Sequence, residues 1–190
     1  MPSLQDPQKM EQVGQFYRRV TAANKDFIQY WQSHTFLHWD WWTSFALTIV
    51  PWLLWIRYRH KSSTARLLFA GFFVLIVSSW LDFIGISLGL WFYTGKLVPT
   101  MPSYMPWDVS LLPVGVMLLI QAKPRWSPLL KGLIFASLCA FVGEPIFMWL
   151  GFYVTIHWEM WYSFPIYLII YLLADRLSRV RSFDPIQSYR

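Results

Sequence analysis

The chain has 190 residues, of which 56% are hydrophobic, 20% aromatic and only 14% charged. This composition is too apolar for an ordinary soluble domain and indicates a single integral membrane domain. The formal net charge of +6 comes mainly from the connections between apolar stretches and the tail. It therefore reports membrane topology, and we predict no nucleic-acid partner.

Residues 1–38 precede the first long apolar stretch and lack the pattern of a secretory signal. Asp6 and Pro7 suit the N-cap and the first position of a helix. Apolar residues then recur at helical spacing, opposite basic ones. They are Met10, Val13, Tyr17, Val20, Phe27 and Trp31. We predict an amphipathic helix that lies on the outer membrane surface and contacts lipids.

Five apolar stretches are long enough, or nearly so, to cross the hydrocarbon core of a bilayer. They lie at about 39–56, 66–92, 106–121, 129–152 and 159–175. We therefore predict an all-α bundle of five membrane spans over residues 39–175, followed by a basic tail at 176–190.

Basic residues follow spans 1, 3 and 5, whereas the other two connections contain only Lys96. The basic residues that follow spans 1, 3 and 5 are Arg57, Arg59, Lys61, Arg66, Lys123, Arg125, Lys131, Arg176, Arg179, Arg181 and Arg190. By the positive-inside rule, we predict a cell-membrane protein with its N-terminus outside and its C-terminus in the cytoplasm. We also expect Arg176, Arg179 and Arg181 to contact anionic lipid.

Acidic residues within and beside the spans give the main functional signal. The topology places all the carboxylates between residues 27 and 174 toward the outer face. They are Asp40, Asp82, Asp108, Glu144 and Glu159. An ionisable group in hydrocarbon costs on the order of a few kcal/mol, so each is a candidate for a functional site.

Spans 1, 3 and 5 share a pattern, since each opens with Trp and an acid and contains a proline further along. The dipeptides are Trp39-Asp40, Trp107-Asp108 and Trp158-Glu159, and the prolines are Pro51, Pro113 and Pro165. Spans 2 and 4 each hold one acid, so hairpins 2–3 and 4–5 resemble a parallel duplication about an axis along the membrane normal. The Trp-acid pairs also suit interface anchors with helix caps, and this interpretation stays open.

Asp82 and Glu144 lie on the order of 20 Å from the cytoplasmic ends of their spans at 1.5 Å per residue. Asp82 shares a helical face with Gly85 and Gly89, and Glu144 shares one with two alanines. Small residues let helices approach closely, so we expect both acids to face the interior. The alternative is a structural hydrogen bond from each carboxyl to a neighbouring helix.

Several carboxyls in one cavity cannot all stay ionised. They can supply a general acid, bind an external cation, or move protons, and aromatic rings can wall a cationic centre. The predicted ligand-binding residues are Asp82, Glu144, Asp108, Glu159, Trp91, Tyr93, Trp107 and Trp158. We expect the cavity to bind a small amphipathic or cationic molecule in transport or sensing. The alternatives are a membrane enzyme that uses Asp82 and Glu144 for acid catalysis on an isoprenoid-like lipid, and a structural membrane protein.

Histidines on the outer side are the candidate metal ligands. His34 and His38 have the i, i+4 spacing of a helical ligand pair, and His157 lies on the same side. They belong to no recognised metal motif, so we predict no metal and no cofactor. The single cysteine, Cys139, excludes an intramolecular disulfide.

Four segments carry a resemblance to a known family. They are Ser79–Gly85, Gly89–Tyr93, Phe141–Ile146 and Trp161–Tyr167. Over about residues 36–172 the chain resembles an uncharacterised family of small multi-pass membrane proteins from Bacillus and related spore-forming Firmicutes. This resemblance implies a source and a topology, but no reaction.

A second resemblance concerns the order of motifs. An Asp followed by Gly, Trp and Tyr, and then a Pro-rich outer loop that leads to an acidic span entry, is similar to membrane carotenoid cyclases of the lycopene cyclase domain type. In those proteins, membrane carboxyls are thought to protonate a polyene. This chain has Pro106-Trp107-Asp108 where that family has proline followed by two acids, so the adjacent acid pair is absent.

Overall fold

The computed structural model describes residues 4–180, and most of these residues are helical, with two strands of three residues each. The predicted all-α class is therefore confirmed. The helices are α1 Pro7–His34, α2 Trp39–Tyr58, α3 Thr64–Ser87, α4 Leu112–Gln121, α5 Pro128–Leu138, α6 Glu144–Trp149 and α7 Met160–Ser178. A 3₁₀ turn at Lys61–Ser63 and π-helical turns at Pro106–Leu111 and Cys139–Gly143 complete the helical part. Two short strands are β1 Trp91–Tyr93 and β2 Tyr153–Thr155.

The first helix begins where the sequence predicts. The Asp6 side chain accepts a hydrogen bond from the Gln8 backbone N–H at 2.9 Å, and Pro7 occupies the first helical position. None of the residues of α1 is buried. One tie to the rest of the chain is the Trp31 indole, which donates to the Lys96 carbonyl at 2.6 Å. This arrangement leaves the apolar side of α1 open, as a surface helix requires.

The core lies between α3, α4, α5 and α7. Its buried side chains are Ala70, Val74, Leu112, Val116, Phe135, Cys139, Ile170, Tyr171 and Ala174. Glycines allow the closest approaches, since a Cβ on Gly71 would overlap Met117 of α4. A Cβ on Gly132 would likewise overlap Leu168 of α7. Small residues at helix contacts are typical of packing in membrane bundles.

A proline lies two residues after the end of each π-helical turn. Pro113 lacks an N–H, so it cannot bond the carbonyl of Val109 one turn earlier. The Trp52 indole N–H donates to that carbonyl at 2.9 Å instead. Pro145 follows the second turn in the same way. π-Helical turns often occur at functional sites, and here they contain Asp108 and directly precede Glu144.

The C-terminal ends of α3 and α6 have the same backbone geometry, and their corresponding residues are 62 positions apart. Gly89 and Gly151 both have positive φ, at 69° and 77°, which ends each helix. The next residue bonds back in each case. Leu90 N–H donates to the Gly85 carbonyl at 3.0 Å, and Phe152 N–H to the Phe147 carbonyl at 2.9 Å.

The strands that follow pair with one another symmetrically. β1 and β2 are antiparallel, with Phe92 opposite Val154 at the centre of the register. Thr94 N–H donates to the Phe152 carbonyl at 3.1 Å, and its counterpart 62 positions later, Ile156 N–H, donates to the Leu90 carbonyl at 2.9 Å. The two helix–turn–strand units are therefore related by an approximate two-fold axis between the strands.

The sequence prediction extended spans 2 and 4 too far. Those spans were predicted to end near residues 92 and 152, but α3 ends at Ser87 and α6 at Trp149. The positive-φ glycines stop the helices, and the aromatic residues beyond them form strands rather than a last helical turn.

Two helical stretches of the described residues are long and apolar enough to cross a membrane. They are Lys61–Ser87, with 27 residues, and Pro128–Trp149, with 22. Pro106–Gln121 is a shorter apolar helix. Helices α2 and α7 have sufficient length, at 20 and 19 residues, but are less apolar. Of the predicted basic tail, 176–178 form the last turn of α7, and Arg181 and Arg190 lie outside the described residues.

Candidate functional site

A cavity of about 80 Å³ lies near the strands, at what we call the strand end of the bundle. The opposite end, where Arg59, Lys131 and Arg179 lie, is the basic end. The cavity is lined by seven of the eight residues that the sequence predicts to bind a ligand. These are Asp82, Asp108, Glu144, Trp91, Tyr93, Trp107 and Trp158. The remaining lining is largely aliphatic and aromatic.

Asp82 lies in the last turns of α3 and is buried. Its Oδ1 accepts hydrogen bonds from the Trp91 indole at 2.7 Å and from the Tyr93 hydroxyl at 2.9 Å. These donors sit at alternate positions of β1, and alternate side chains of a strand share one face. The strand pair therefore brings both donors to one carboxylate oxygen.

Asp108, in the first π-helical turn, forms a pair with Asp82. The Tyr104 backbone N–H lies 2.9 Å from Asp82 Oδ2 and 3.2 Å from Asp108 Oδ2. The two carboxyls are therefore close neighbours, because each has an oxygen within hydrogen-bond distance of the same backbone N–H. Asp108 thus bonds a backbone N–H just before its helix, as a cap does, and also belongs to the cavity.

Glu144 opens α6 and is buried on the other side of the cavity. Its Oε1 accepts from the Tyr167 hydroxyl at 2.8 Å, and the Tyr167 oxygen accepts from the Trp107 indole at 2.9 Å. Ser163, whose Oγ accepts from the Trp158 indole at 2.9 Å, lies beside the same carboxyl. Glu144 Oε2 is buried and has no hydrogen-bond partner among the described residues.

Glycines make room for the indoles that surround the cavity. A Cβ on Gly85 would overlap the Trp91 ring, and one on Gly143 would overlap the Trp107 ring. The sequence predicted that Gly85 and Gly89 admit a neighbouring helix, and this is wrong. Gly85 accommodates an indole, and Gly89 forms the positive-φ turn with no atom within 4 Å of an added Cβ.

Two predicted acids lie apart from the cavity lining. Glu159 is exposed at the N-cap of α7 and makes no side-chain capping bond. Asp40 is half-buried in the first turn of α2, and its Oδ1 has no partner among the described residues. Both occupy the helix-start positions that the capping interpretation expects.

The histidines do not form the predicted helical pair. His34 ends α1 and stacks on Tyr30 with ring centroids 4.2 Å apart, whereas His38 is the N-cap of α2. The break between the two helices removes the i, i+4 geometry, and His157 is exposed. In the part of the chain that the structure describes, no three His, Cys, Asp or Glu side chains are placed to hold a metal ion.

Lys96 provides a positive charge close to the acid pair. It lies in the connection after β1, and its Nζ donates to the Met101 carbonyl at 2.8 Å. Burial lowers the pKa of Lys96, and attraction to Asp82 and Asp108 partly offsets that effect. Lys96 therefore moderates the negative charge of the pair without contacting either carboxylate directly.

Sequence reasoning missed Tyr167, which donates to Glu144, and Ser163, which lies beside the same carboxyl. It also missed Asp175, a buried acid near the end of α7 at the basic end of the bundle. Ser163 and Tyr167 are spaced i, i+4 on α7, so their shared face was visible in the sequence. Tyr and Ser are common in such helices, and only the contact with α6 distinguishes these two. Comparisons with protein-family models, curated proteins and solved structures found no match.

Proposed function

We propose that the chain is a multi-pass protein of the cell membrane with five spans, formed by α2, α3, the helix over 106–121, the α5–α6 segment and α7. Two of these are apolar and long enough on their own. The paired exits of α3 and α6 support the arrangement, because both helices must run in the same direction for their strands to meet at one end. This is what a parallel duplication requires.

The orientation follows from the charges. The basic end of the bundle carries the Lys- and Arg-rich connections, so it is the cytoplasmic end. The strand end and its cavity then face outward, and the N-terminus is outside. In this orientation, α1 lies along the outer surface of the bilayer.

The cavity, in this proposal, binds a small amphipathic molecule whose head is a cation or a hydrogen-bond donor, in transport or sensing. The observation that carries this proposal is Glu144 Oε2, a buried acceptor that has no hydrogen-bond partner among the described residues. Leaving such a group unsatisfied costs about 1–3 kcal/mol, which a donor on the ligand recovers. The indoles of Trp107 and Trp158 offer faces for a cationic head, and Phe147, Ile166 and Ile170 offer apolar surface for the rest.

An enzyme is the second candidate, and the Asp82–Asp108 contact favours it. A close pair of carboxyls is an arrangement suited to acid chemistry, and the apolar lining beside it suits an isoprenoid-like lipid as the substrate. A comparison of the lipids of cells with and without the gene tests this candidate. Altered isoprenoids would favour the enzyme. Unchanged isoprenoids would favour the ligand-binding protein.

A ligand-dependent stability measurement tests the binding proposal. Primary alkylamines and quaternary alkylammonium ions of increasing chain length are added to the purified protein in detergent, and the Tm is recorded. A ligand at 100 times its Kd stabilises the folded state by about 2.7 kcal/mol. We expect such a rise for the wild type and a much smaller one for Glu144→Gln.

Glu159→Gln is the matched control, because it removes an exposed carboxylate outside the cavity. Its Tm response should equal that of the wild type. Equal Tm responses in the wild type and both variants would show that Glu144 does not contribute to ligand binding. No response to any amine, together with unchanged lipids in cells, would favour the structural membrane protein.

A further inference from the structure

A polar stripe runs along α7 and its C-cap through the core of the bundle. Its members recur every four residues, slightly more than one helical turn, so each is next to the one before and the stripe winds gradually around the helix. They are Ser163, Tyr167, Tyr171, Asp175 and Arg179. At 1.5 Å per residue the stripe is about 24 Å long, close to the thickness of a hydrocarbon core. Ser163, Tyr171 and Asp175 are buried, Tyr171 completely.

The two ends of the stripe reach different surroundings. At the strand end, Tyr167 donates to Glu144 in the cavity. At the basic end, the Asp175 carboxylate accepts two hydrogen bonds from Arg179, at 2.6 and 2.9 Å. The Arg179 side chain is 55% exposed. The polar side chains of the stripe therefore extend from the cavity to solvent at the opposite end of the bundle.

Tyr171 occupies the middle of the stripe without a bond of its own. Its hydroxyl is buried and has no hydrogen-bond partner among the described residues. Tyr167 and Asp175 each lie one turn away, about 6 Å along the helix axis. A buried hydroxyl of this kind is destabilising by about 1–3 kcal/mol, and a bridging water is the usual partner at such a position.

The fold itself does not require these polar groups. Helix α4 follows α3 as α7 follows α6, so it is the counterpart of α7 in the repeated arrangement. Every residue of α4 from Leu112 to Ile120 is apolar or glycine. The polar stripe is therefore a property of one half of the molecule, which indicates a function rather than a packing requirement.

We propose that the stripe is a proton pathway between Glu144 in the cavity and Asp175 at the basic end. The Tyr167 hydroxyl, which donates to Glu144 in the structure, first turns toward Tyr171. A protonated Glu144 carboxyl then gives its proton to the Tyr167 oxygen while Tyr167 releases its own proton toward Tyr171. Tyr171 passes a proton to the Asp175 carboxylate in the same way, with water across the gaps of about 6 Å. Each tyrosine is neutral before and after the step, and Asp175 releases its proton to solvent beside Arg179.

Charged and titratable groups lie at both ends of this pathway. At the basic end, Arg179, the C-cap of α7, bonds the Asp175 carboxylate, and the buried Lys131 of α5 is the other basic group near it. The Lys131 amine donates to the Ile120 carbonyl at 3.2 Å. At the cavity end, Cys139 and Tyr153 are the other titratable groups near Glu144, with Asp82 across the cavity.

Proton flux into liposomes tests the pathway without a ligand. The purified protein is reconstituted into liposomes that contain a pH-sensitive dye, and a potassium gradient with valinomycin makes the interior negative. We expect the wild type to acidify the interior faster than protein-free liposomes do. Tyr171→Phe and Glu144→Gln should return the rate to that of protein-free liposomes, since each removes one transferable proton.

Tyr162→Phe is the matched control, because it removes a hydroxyl from a 42% exposed tyrosine of the same helix. Its flux should equal that of the wild type. Tyr171→Phe keeps the ring that packs in the core, so its Tm is recorded alongside the flux. A Tm close to that of the wild type shows that a low flux does not come from unfolding. A wild-type rate no faster than that of empty liposomes overturns the pathway, as does an unchanged rate in Tyr171→Phe.

Discussion

The two acids that the sequence ranks together, Asp82 and Glu144, have different surroundings. Asp82 accepts three hydrogen bonds and joins α3 to β1 and to the Tyr104 backbone. Glu144 accepts one from Tyr167, and its other oxygen has no hydrogen-bond partner in the part of the chain that the structure describes. Asp82 therefore holds the cavity together, whereas Glu144 is available to a ligand or a proton.

Asp82→Asn is expected to destabilise the protein by about 1–3 kcal/mol. The amide turns a donor toward the N–H and O–H groups that the carboxylate accepts, so at least one buried donor loses its partner. Glu144→Gln keeps the oxygen that Tyr167 needs and directs its NH₂ into the cavity, so its Tm should stay near that of the wild type. Thermal unfolding of both variants in detergent measures the difference. Equal losses of Tm in the two variants would contradict the structural role of Asp82 and the ligand- or proton-binding role of Glu144.

Sequence reasoning could identify the acids because a carboxyl in an apolar stretch is rare and has a physical cost. It could not identify Tyr167, because a tyrosine is ordinary in such a helix and its partner Glu144 lies 23 positions earlier, on another helix. Asp175 was overlooked for another reason. It lies next to the basic residues that end the chain, where a carboxylate suggests only a surface ion pair.

Among the elements, the strand pair was hidden from a sequence reading. Three aromatic residues after a long apolar helix, Trp91–Tyr93, suggest an interfacial belt, and their partner strand is 62 positions away. The repeat itself was visible as a pattern of acids and prolines. Its geometry depends on Gly89 and Gly151, whose positive φ values end both helices at the same point.

Gly85→Ala tests the link between helix α3 and strand β1. The added methyl overlaps the Trp91 indole, so the ring must move away from Asp82, and overpacking of this kind costs about 1–3 kcal/mol. Gly115→Ala is the control, because the nearest atom to its Cβ would be Phe135 Cε2 at 3.4 Å, and alanine favours a helix. Thermal unfolding should show a loss for the first variant and little change for the second. A Gly85→Ala variant as stable as Gly115→Ala would mean that Trp91 adapts freely.

At the scale of the whole molecule, the polarity of α7 and its position in the bundle are connected. A helix with a buried Asp and two buried or half-buried tyrosines is less apolar than a lipid-facing span, which is why α7 is weak as a membrane signal from composition alone. Its polar face points at α5 and the cavity, and exposed residues such as Trp161 and Ile169 occupy the opposite face. Such a helix is typical of the interior of a membrane bundle.

Topology is the prediction on which the orientation of the cavity depends. Five spans and the distribution of Lys and Arg place residue 5 outside and residue 185 in the cytoplasm. Cys139 is replaced by alanine to remove the native thiol, and Gln5→Cys and Pro185→Cys are introduced singly. In intact cells, a membrane-impermeant maleimide should label the cysteine at position 5, and the one at position 185 only after the membrane is permeabilised. Labelling only at position 185 would show that the topology is the reverse of the predicted one, with the acids facing the cytoplasm. Labelling at both positions would exclude an odd number of spans.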